Sequence, residues 1–329
     1  MEATGRLPLL ILTGPTAAGK TNLSIRLAKA VNGEIISADS MQVYRRMDIG
    51  TAKIKKEEMC GVPHHLIDIC EPQEEYHVVR FAADARRLIR EITDRGHVPV
   101  LVGGTGFYIQ AVLYDIDFTE TTEDTAYREE LSEYAAQYGA EALHARLAEV
   151  DPASAEAIHA NNVKRVIRAL EFYRQTGTPI SAHNEEQRKK ESAYNSAYFV
   201  LTEERSVLYR RIERRIDKMI AEGLVEEVRA LMAEGCTAGM VSMQGLGYKE
   251  ILAYLNGECT LAEAVSVLKR DTRHFAKRQL TWFKRERDVL WFDKGTYADE
   301  DAILAAMLAE AKDRGILFKN KETERRNFL

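Results

Sequence analysis

Short apolar runs and segments with helical spacing alternate along the first third of the chain. The apolar runs at residues 7–12, 34–37 and 99–102 predict buried strands. Residues 21–31 and 78–95 carry apolar side chains every three or four positions, which predicts amphipathic helices. Strands that alternate with helices are typical of a parallel sheet, whose ligands bind at the carboxyl ends of its strands.

A further apolar run at residues 64–69, also in the first third, predicts another strand. The pattern changes after the first third, where a polar stretch at 119–124 marks a boundary. Short helices with charged faces are predicted up to about residue 196, and an apolar strand at 197–201 resumes the sheet pattern. This predicts a core of residues 1–118 and 197–315 with C-terminal helices, a helical insertion at 119–196, and a loose charged tail at 316–329.

Composition excludes several classes of protein. The chain has 329 residues, 45% hydrophobic and 29% charged, which is enough for two structural units. Its four cysteines form no C-x-x-C pair, so we expect a reduced cytoplasmic protein without zinc or disulfides. The apolar run at 7–12 is too short to cross a membrane, and nothing resembles a cleavable signal. We therefore expect no membrane association, and no protein partner is evident.

A phosphate-binding loop follows the first predicted strand directly. Residues 14–21 fit G-x-x-x-x-G-K-[ST], in which backbone N–H groups turn toward phosphate oxygens at the start of a helix. Lys20 supplies a cation for the outer phosphate, and the Thr21 hydroxyl is the predicted ligand of Mg²⁺. The loop residues predicted to bind the diphosphate or triphosphate group of a ligand are Gly14, Thr16, Ala17, Ala18, Gly19, Lys20 and Thr21, and the loop alone does not tell whether that ligand is ATP. The predicted fold is therefore α/β, a P-loop NTPase-like parallel sheet core with an all-helical insertion domain.

Two polar residues follow other predicted strands of the same sheet. Asp39 comes after the strand at 34–37, and Thr105 follows the strand at 99–102 within a glycine-rich turn. Both are expected at the same edge of the sheet as the phosphate loop. On the residues alone, a catalytic role and a structural role explain Asp39 equally well, the structural role being a helix cap or a carboxylate held by backbone amides. For Thr105, a hydroxyl that bonds locally within the turn remains an alternative to a role in catalysis. His64 and His65 are predicted to be structural, since no third metal-type residue is spaced to join them.

Two segments of the second half are basic, although the net charge of the whole chain is −5. In residues 208–219 an apolar helix face is accompanied by Arg211 and Arg215, four positions apart on another face. In residues 269–285 the helical spacing gathers aromatic side chains on one arc and cations on the opposite side. These cations could belong to an ordinary solvated helix surface. Their concentration in two segments of an otherwise acidic chain favours contact with a nucleic-acid phosphate backbone. The cations on that side of the predicted helix at 269–285 are Arg270, Arg273, Lys277 and Lys284.

The motifs together resemble one family along nearly the whole chain, to about residue 292. Besides the phosphate loop, they include Asp39-Ser-Met-Gln-Val-Tyr44, Gly103-Gly-Thr-Gly-Phe-Tyr108, Gly247-Tyr-Lys-Glu250 and Ala276-Lys-Arg-Gln-Leu-Thr-Trp-Phe283. In this combination and order the chain resembles the bacterial tRNA dimethylallyltransferases. Ala18 stands where that family usually has Ser, Arg46 where Gly is usual, and Ile54 where Pro is usual, and Asn162-Val163 replaces an Asp-Pro pair. Ala18 matters little because that loop position binds through its amide, whereas Arg46 is expected to alter local tRNA contacts.

The resemblance implies transfer of a dimethylallyl group from its diphosphate to N6 of the adenine beside the tRNA anticodon. It implies that Asp39 is the general base, that Thr105 aligns the reacting groups, and that Arg215 joins the loop in binding diphosphate. The implied partners are the tRNA anticodon stem-loop and dimethylallyl diphosphate, with Mg²⁺ as cofactor. The implied tRNA-binding residues are Asp39, Ser40, Met41, Gln42, Thr105, Arg128, Lys164, Arg165, Arg168, Gln244, Gly247, Tyr248, Lys249, Arg273, Lys277, Arg278 and Lys284.

Three alternatives use some of the same features. A small-molecule kinase would share the phosphate loop, but it gives the basic helix near Arg273 no role. An adenylate isopentenyltransferase would share the chemistry but accept a free nucleotide, and the long helical insertion favours a bulkier RNA acceptor. A purely RNA-binding module fits poorly with a complete phosphate loop beside Asp39.

Overall fold

A computed structural model describes residues 5–116 and 125–317 of the chain. The predicted boundary at 119–124 and the tail residues 318–329 lie outside these ranges. The chain divides into two compact units, which we call the sheet unit (Met1–Leu113 with Ala193–Leu329) and the helical unit (Tyr114–Ser192). The helical unit overlaps the insertion predicted at 119–196.

The sheet unit is built on one parallel sheet. Its strands within the described residues are β1 (Pro8–Thr13), β2 (Gly33–Ser37), β3 (His64–His65), β4 (Val98–Gly103), β5 (Asn195–Thr202) and β6 (Val289–Asp293). They lie in the order β3-β2-β4-β1-β5-β6, and every pairing is parallel. The α/β class predicted from the alternation is confirmed, and β1 is central with β4 and β5 on its two sides.

Two details of the sheet differ from the pattern of apolar runs. The strand predicted at 64–69 has only two residues, because Leu66 and Asp68 adopt left-handed φ angles of 61° and 55° that end the pairing. The strand β6 was not predicted at all, although its sequence Val-Leu-Trp-Phe is apolar and rich in strand formers. It extends the sheet at the edge beyond β5.

Helices surround the sheet, and the regular structure of the helical unit within residues 125–192 is helical. In chain order they are α1 (Lys20–Ala30), α2 (Val78–Asp94), α3 (Gly106–Leu113), α4 (Thr125–Tyr138), α5 (Ala140–Val150), α6 (Pro152–Ala157), α7 (Val163–Thr176), α8 (Ile180–Lys189), α9 (Arg205–Ala221), α10 (Leu224–Ala233), α11 (Tyr248–Leu255), α12 (Leu261–Phe283) and α13 (Glu300–Asp313). Short 3₁₀ turns occupy Ser242–Gln244 and Lys294–Thr296. No helix of residues 5–116 and 125–317 combines the length and apolar character needed to span a bilayer.

The core of the sheet unit lies between β1 and the helices that cover it. Leu10 and Leu12 of β1 are completely buried, as are Leu23 of α1 and Met307 of α13. Full burial of each such side chain contributes about 1.5–3 kcal/mol. Ile316, at the start of the tail predicted to be loose, is also buried in this core, so that part of the prediction is wrong.

The helical unit has a separate small core. Leu131, Leu143, Leu147 and Leu170 are buried together from α4, α5 and α7. The side chain of Asp151 caps α6 by accepting from the Ser154 N–H at 2.9 Å, as the Asp-Pro sequence indicates. These contacts fix the helices of this unit to one another.

The close approach of β4 to the residue after β2 gives a testable prediction. A Cβ atom on Gly103 would lie 2.2 Å from the carbonyl oxygen of Ala38, so Gly103→Ala must separate these two backbones. Such overpacking costs roughly 1–3 kcal/mol, which thermal unfolding followed by circular dichroism would register as a lower melting temperature.

The matched control is Gly239→Ala, whose new Cβ would find its nearest neighbour, Thr237 Oγ1, at 3.9 Å. The control should have the same melting temperature as the wild-type protein. Equal melting temperatures for Gly103→Ala and Gly239→Ala would contradict the packing described for the ends of β2 and β4.

Candidate active site

The order of the strands brings three loops together at the carboxyl edge of the sheet. β4 lies between β2 and β1, so the loop after β4 is next to the loops that carry Asp39 and the phosphate-binding sequence. The Ala38 N–H donates to Val102 O at 2.7 Å, and the Thr105 N–H donates to Ala38 O at 3.2 Å. The structure therefore holds Asp39 and Thr105 side by side at one edge, where the sequence placed them.

The phosphate-binding loop occupies the turn between β1 and α1. Ala17 and Gly19 have left-handed φ angles of 63° and 85°, and α1 begins at Lys20. Ala18 is completely buried, and its N–H donates to Pro15 O at 3.2 Å. Thr21 is exposed in the first turn of α1. An anion at this position would meet the N-terminal end of the helix dipole.

Two cations face this loop from different parts of the chain. Lys20 Nζ donates to Gly14 O at 2.9 Å and to Pro15 O at 2.8 Å. Arg215, from α9, donates from Nη1 to Thr16 Oγ1 at 3.4 Å, which brings the arginine implied by the resemblance to the loop. Burial, with a smaller contribution from the nearby Arg215 charge, lowers the pKa of Lys20 to about 8, while Asp39 opposes the change. Burial also lowers the pKa of Arg215, again against the effect of Asp39.

The carboxylate of Asp39 is fixed through one of its oxygens. Oδ1 accepts from the Met41 N–H at 2.9 Å and from the Gln42 N–H at 3.4 Å. This is the backbone-held arrangement that the sequence offered as an alternative to catalysis. Within the described part of the chain, Oδ2 accepts no hydrogen bond. The arrangement fixes the direction of the carboxylate and leaves one oxygen to take up a proton.

Thr105 and the residues after Asp39 form one hydrogen-bonded group. Thr105 Oγ1 accepts from the Ser40 N–H at 3.2 Å and lies 3.5 Å from Ser40 Oγ. Gln42 donates from Nε2 to Thr51 O at 3.3 Å, and Met41 packs against Gly245. Ser40, Met41 and Gln42 are all half-buried. The hydroxyl of Thr105 thus lies at the turn that carries Asp39, although it also serves the local turn.

Two residues beside the loop were not predicted from the sequence. Gln279, buried in α12, accepts from the Thr16 N–H at 2.8 Å through Oε1 and donates from Nε2 to Gly104 O at 2.8 Å. Lys294, after β6, pairs with Glu300 at 2.7 Å, and a Cβ on Gly19 would lie 3.1 Å from its Nζ. Gln279 stands within a motif quoted for the resemblance, but only the fold reveals which loops it contacts.

The helix α12 presents a basic outer surface, though a smaller one than the charge pattern indicated. The helix starts earlier than residue 269, at a capping box of Thr260 and Glu263 that the sequence analysis missed. Arg273 is half-buried and pairs with Glu213 at 2.8 Å, so its prediction as an outward cation is corrected. Arg270 pairs with its neighbour Asp271.

Several other cations of α12 and the residues just after it are exposed, and three of them, Lys277, Arg278 and Arg285, line a groove. Among the described residues, Lys277, Arg278, Lys284 and Arg285 are exposed and form no ion pair. A groove of about 440 Å³ is lined by His274, Lys277, Arg278, Thr281, Trp282 and Arg285. We call this surface the α12 groove. Its positive charge and partly exposed indole suit a nucleic-acid strand.

The predicted tRNA-binding turn at 244–249 divides into exposed and buried residues. Gln244 and Lys249 are exposed, whereas Gly247 is buried with a left-handed φ of 96°. Tyr248 is completely buried, and its hydroxyl donates to Glu227 Oε1 at 2.6 Å. The predicted tRNA contact is therefore corrected for the Tyr248 side chain, which packs the turn from inside.

In the helical unit, the predicted basic residues divide in a similar way. Lys164 and Arg165 are exposed at the start of α7. Arg128 Nε and Arg168 Nη1 lie 2.7 Å and 2.9 Å from the carboxylate of Glu171, which is completely buried. Burial alone would raise the pKa of Glu171, but the hydrogen bonds from the two arginines outweigh it and lower that pKa.

Arg46, expected to alter local tRNA contacts, has a different environment. It adopts a left-handed φ of 61° and pairs with Glu71 at 2.6 Å and with Glu234 at 2.9 Å. The left-handed backbone explains why glycine suits this position. The guanidinium is engaged within the protein, on the side of the loop that faces α10.

Comparison with known proteins gives one consistent result. The sequence profile of the family described as IPP transferase matches residues 42–286. The tRNA dimethylallyltransferase of Lachnoclostridium phytofermentans is 62% identical over 310 residues, which cover 94% of this chain and 99% of that protein. The tRNA dimethylallyltransferase of Carboxydothermus hydrogenoformans is 52% identical over 87% of this chain and 92% of its own length.

Solved structures agree with the sequence relatives. The full-length tRNA isopentenylpyrophosphate transferase of Bacillus halodurans superposes with a TM-score of 0.70 and 47% identity, over 94% of this chain and 98% of that one. A eukaryotic dimethylallyltransferase acting on tRNA gives a TM-score of 0.79 at 28% identity, over 96% of this chain and 81% of its own. The predicted P-loop-like α/β fold is the fold of these neighbours.

The electrostatics of the loop predict an unusual lysine titration. We expect the Lys20 ammonium to lose its proton near pH 8, far below an ordinary lysine, so its positive charge is present below that pH and lost above it. Because Arg215 contributes to the lowering, Arg215→Met should raise the pKa of Lys20. The measurement is NMR of lysine labelled with ¹³C at Cε, with Lys20→Met to assign the signal. An ordinary pKa in the wild type, or a further fall in Arg215→Met, would contradict this description.

Proposed function

The chain belongs to the IPP transferase family, and from this membership we propose the reaction that its site carries out. The protein is a prenyltransferase that modifies tRNA. A dimethylallyl group moves from dimethylallyl diphosphate to N6 of the adenine 3′ to the anticodon, and diphosphate is released. The observation that carries this proposal is a phosphate loop faced by two half-buried cations and a fixed carboxylate, together with a basic groove on α12.

The phosphate loop holds the leaving group of this reaction. An exocyclic adenine amine is a weak nucleophile because its lone pair is delocalised into the ring. The allylic carbon must therefore become strongly electrophilic as its bond to the diphosphate oxygen breaks. Lys20 and Arg215 stabilise the negative charge that develops on that oxygen, and the buried setting strengthens both interactions. Burial and the Arg215 charge lower the pKa of Lys20, and a bound anion would act in the opposite direction and favour the charged ammonium.

Mg²⁺ fits the residues of the loop as an assistant to the same step. Mg²⁺ usually keeps several waters and takes few protein ligands, with phosphate oxygens completing its shell. The exposed hydroxyl of Thr21 is the ligand that α1 offers, and no cluster of three His, Cys, Asp or Glu exists in the described ranges to hold a metal otherwise. When bound there, Mg²⁺ would neutralise charge on the diphosphate.

Asp39 accepts the proton that the amine loses. As the new C–N bond forms, N6 becomes positively charged, and its proton passes to Oδ2 while Oδ1 stays bound to the Met41 N–H. Thr105, held against Ser40, aligns the amine with the carboxylate through its hydroxyl. The atoms balance: one C–O bond breaks, one C–N bond forms, the electron pair leaves with diphosphate and the proton stays on Asp39.

RNA reaches this site by placing its backbone on cations and its target base in the pocket. An enzyme that alkylates a base edge must extrude that base from its stack. The α12 groove, with Lys277 and Arg278, and the exposed Lys284 at the end of α12 bind the phosphates nearest the site. Gln244 and Lys249 contribute from the turn before α11. Lys164, Arg165, Arg128 and Arg168 of the helical unit bind the anticodon stem. The reaction takes place in the cytoplasm, where tRNA is found.

One assay separates this function from the adenylate isopentenyltransferase and kinase alternatives. The protein is incubated with labelled dimethylallyl diphosphate and either unmodified tRNA or AMP, and separately with γ-labelled ATP and the same acceptors. Label should enter tRNA alone. Label in AMP but not in tRNA would overturn the acceptor, and phosphate transfer from ATP would overturn the chemistry.

Replacing the proposed base should separate turnover from RNA binding. Asn in Asp39→Asn still accepts from the Met41 N–H but cannot take up a proton at neutral pH. General-base catalysis is typically worth about 10²–10⁴-fold, so kcat should fall by about that factor while the Kd for tRNA stays near the wild-type value. Single-turnover kinetics and filter binding measure the two quantities. A collapse of tRNA binding with kcat intact would make Asp39 a recognition residue.

The α12 groove should govern the salt dependence of RNA binding. Lys277→Ala with Lys284→Ala removes two exposed cations, and each lost phosphate contact should reduce the slope of log K against log salt concentration by roughly 0.7–0.9. The control is Lys218→Ala, which removes an exposed lysine of α9 paired with Glu222. An unchanged slope in the double variant, or an equal change in the control, would show that the α12 cations do not contact RNA phosphates.

A further inference from the structure

We propose that Gln279 is a positioning residue that couples RNA docking on α12 to the diphosphate loop and to Thr105, so that the two substrates bind cooperatively. The inference rests on the function proposed above and concerns how its two binding sites communicate. It assigns Gln279 no contact with either substrate.

Gln279 is placed between the two loops that the reaction needs. Its side chain leaves α12 on the inner side, is 6% exposed, and bridges the Thr16 N–H to Gly104 O with two hydrogen bonds of 2.8 Å. Thr16 belongs to the diphosphate loop, and Gly104 precedes Thr105. The orientation of the amide is fixed by chemistry, since a backbone N–H requires the oxygen and a backbone carbonyl requires the NH₂ group.

The turn around Thr105 is shaped to receive α12. A Cβ on Gly104 would lie 2.2 Å from Gln279 Nε2, and a Cβ on Gly106 would lie 2.3 Å from Trp282 Cδ1. Glycine on both sides of Thr105 thus lets two side chains of one helix pack directly against the turn. Because Gln279 and Trp282 are three residues apart, they lie on the same side of α12.

The outer side of the same helix carries the RNA surface. Lys277 and Arg278 immediately precede Gln279 in the chain and are exposed in the α12 groove. A shift of α12 when RNA phosphates bind is therefore carried to Thr16 and Gly104 by two short hydrogen bonds. Arg215, one of the two cations proposed to bind diphosphate, also contacts Thr16 by donating to its Oγ1. Thr16 therefore connects Gln279 to Arg215. By linkage, an effect of RNA on diphosphate affinity must equal the effect of diphosphate on RNA affinity.

The test measures this coupling in the full chain. The Kd of the unreactive dimethylallyl S-thiolodiphosphate is determined with and without saturating unmodified tRNA, and the Kd of tRNA with and without the analogue. We expect a coupling factor on the order of tenfold in the wild type, equal in both directions. Gln279→Met keeps the length of the side chain but loses both hydrogen bonds, and should bring the factor close to one. Its kcat should fall while its Kd for tRNA alone is retained.

The matched control is Lys277→Met, the same replacement on the outer face of α12. It should weaken tRNA binding and leave the coupling factor at the wild-type value. A coupling factor retained by Gln279→Met, or absent from the wild type, would overturn the proposal.

A second variant covers the case in which Gln279→Met fails to fold. In Gln279→Glu the ionised carboxylate accepts from the Thr16 N–H but cannot donate to Gly104 O, whereas the protonated acid can do both. Its coupling factor should therefore rise as pH falls from about 6.5 to 5.5, a range in which the nearby Lys20, with its pKa of about 8, and Arg215 stay protonated. The factor of the wild type, measured at the same pH values, gives the reference, and the absence of a rise in Gln279→Glu would overturn the proposal.

The outcome is separable from the function itself. If the wild-type protein fails to transfer label to tRNA, the proposed function fails whatever Gln279 does. If the wild-type protein transfers label and the variants keep their coupling, only the role of Gln279 fails.

Discussion

The parallel order of β2, β4 and β1 is the constraint on which the site depends. Parallel strands end at the same edge of a sheet, so three chemically different loops meet there without any of them being long. One loop has the phosphate-binding sequence, one carries a carboxylate and the third lies between them with a hydroxyl. The hydrogen bonds of Ala38 to Val102 and Thr105 connect the loop after β2 to the end of β4. On the other side, Thr13 Oγ1 donates to Gly103 O at 2.6 Å and connects β1 to β4. Displacing β4 would therefore separate Asp39 from the phosphate-binding loop.

Charge is the second organising feature of this edge. Lys20 and Arg215 repel one another in a setting with little water, and Asp39 offsets only part of that repulsion. A site with two cations and one carboxylate is completed by a ligand with more than one negative charge. In the proposed reaction Asp39, which partly offsets these cations, is also the proton acceptor, and the diphosphate would take over its role toward Lys20 and Arg215. Binding and chemistry would then be connected through one local balance of charge.

Local patterns predicted most of the sheet and the centre of the site. The strands β1, β2, β4 and β5, the phosphate loop and the edge position of Asp39 follow from apolar runs and their ends, because each is set by short-range chemistry. The short β3 and the left-handed Arg46 could not be foreseen, since backbone conformation there depends on the surrounding fold. The roles of Gln279 and Tyr248 were missed for a related reason. A helical wheel shows which residues share a face but not which loop will pack against it.

The two arginines around Glu171 have a consequence for what the helical unit can offer a ligand. A carboxylate that is completely buried cannot lose its partners without a large cost, so Arg128 and Arg168 cannot swing away toward a ligand. Their conformational freedom is already lost on folding rather than on association. If the helical unit binds RNA as proposed, the RNA would meet guanidinium edges at positions set by the protein's own interior. Such a surface would discriminate by the geometry of the phosphates and not by their charge alone.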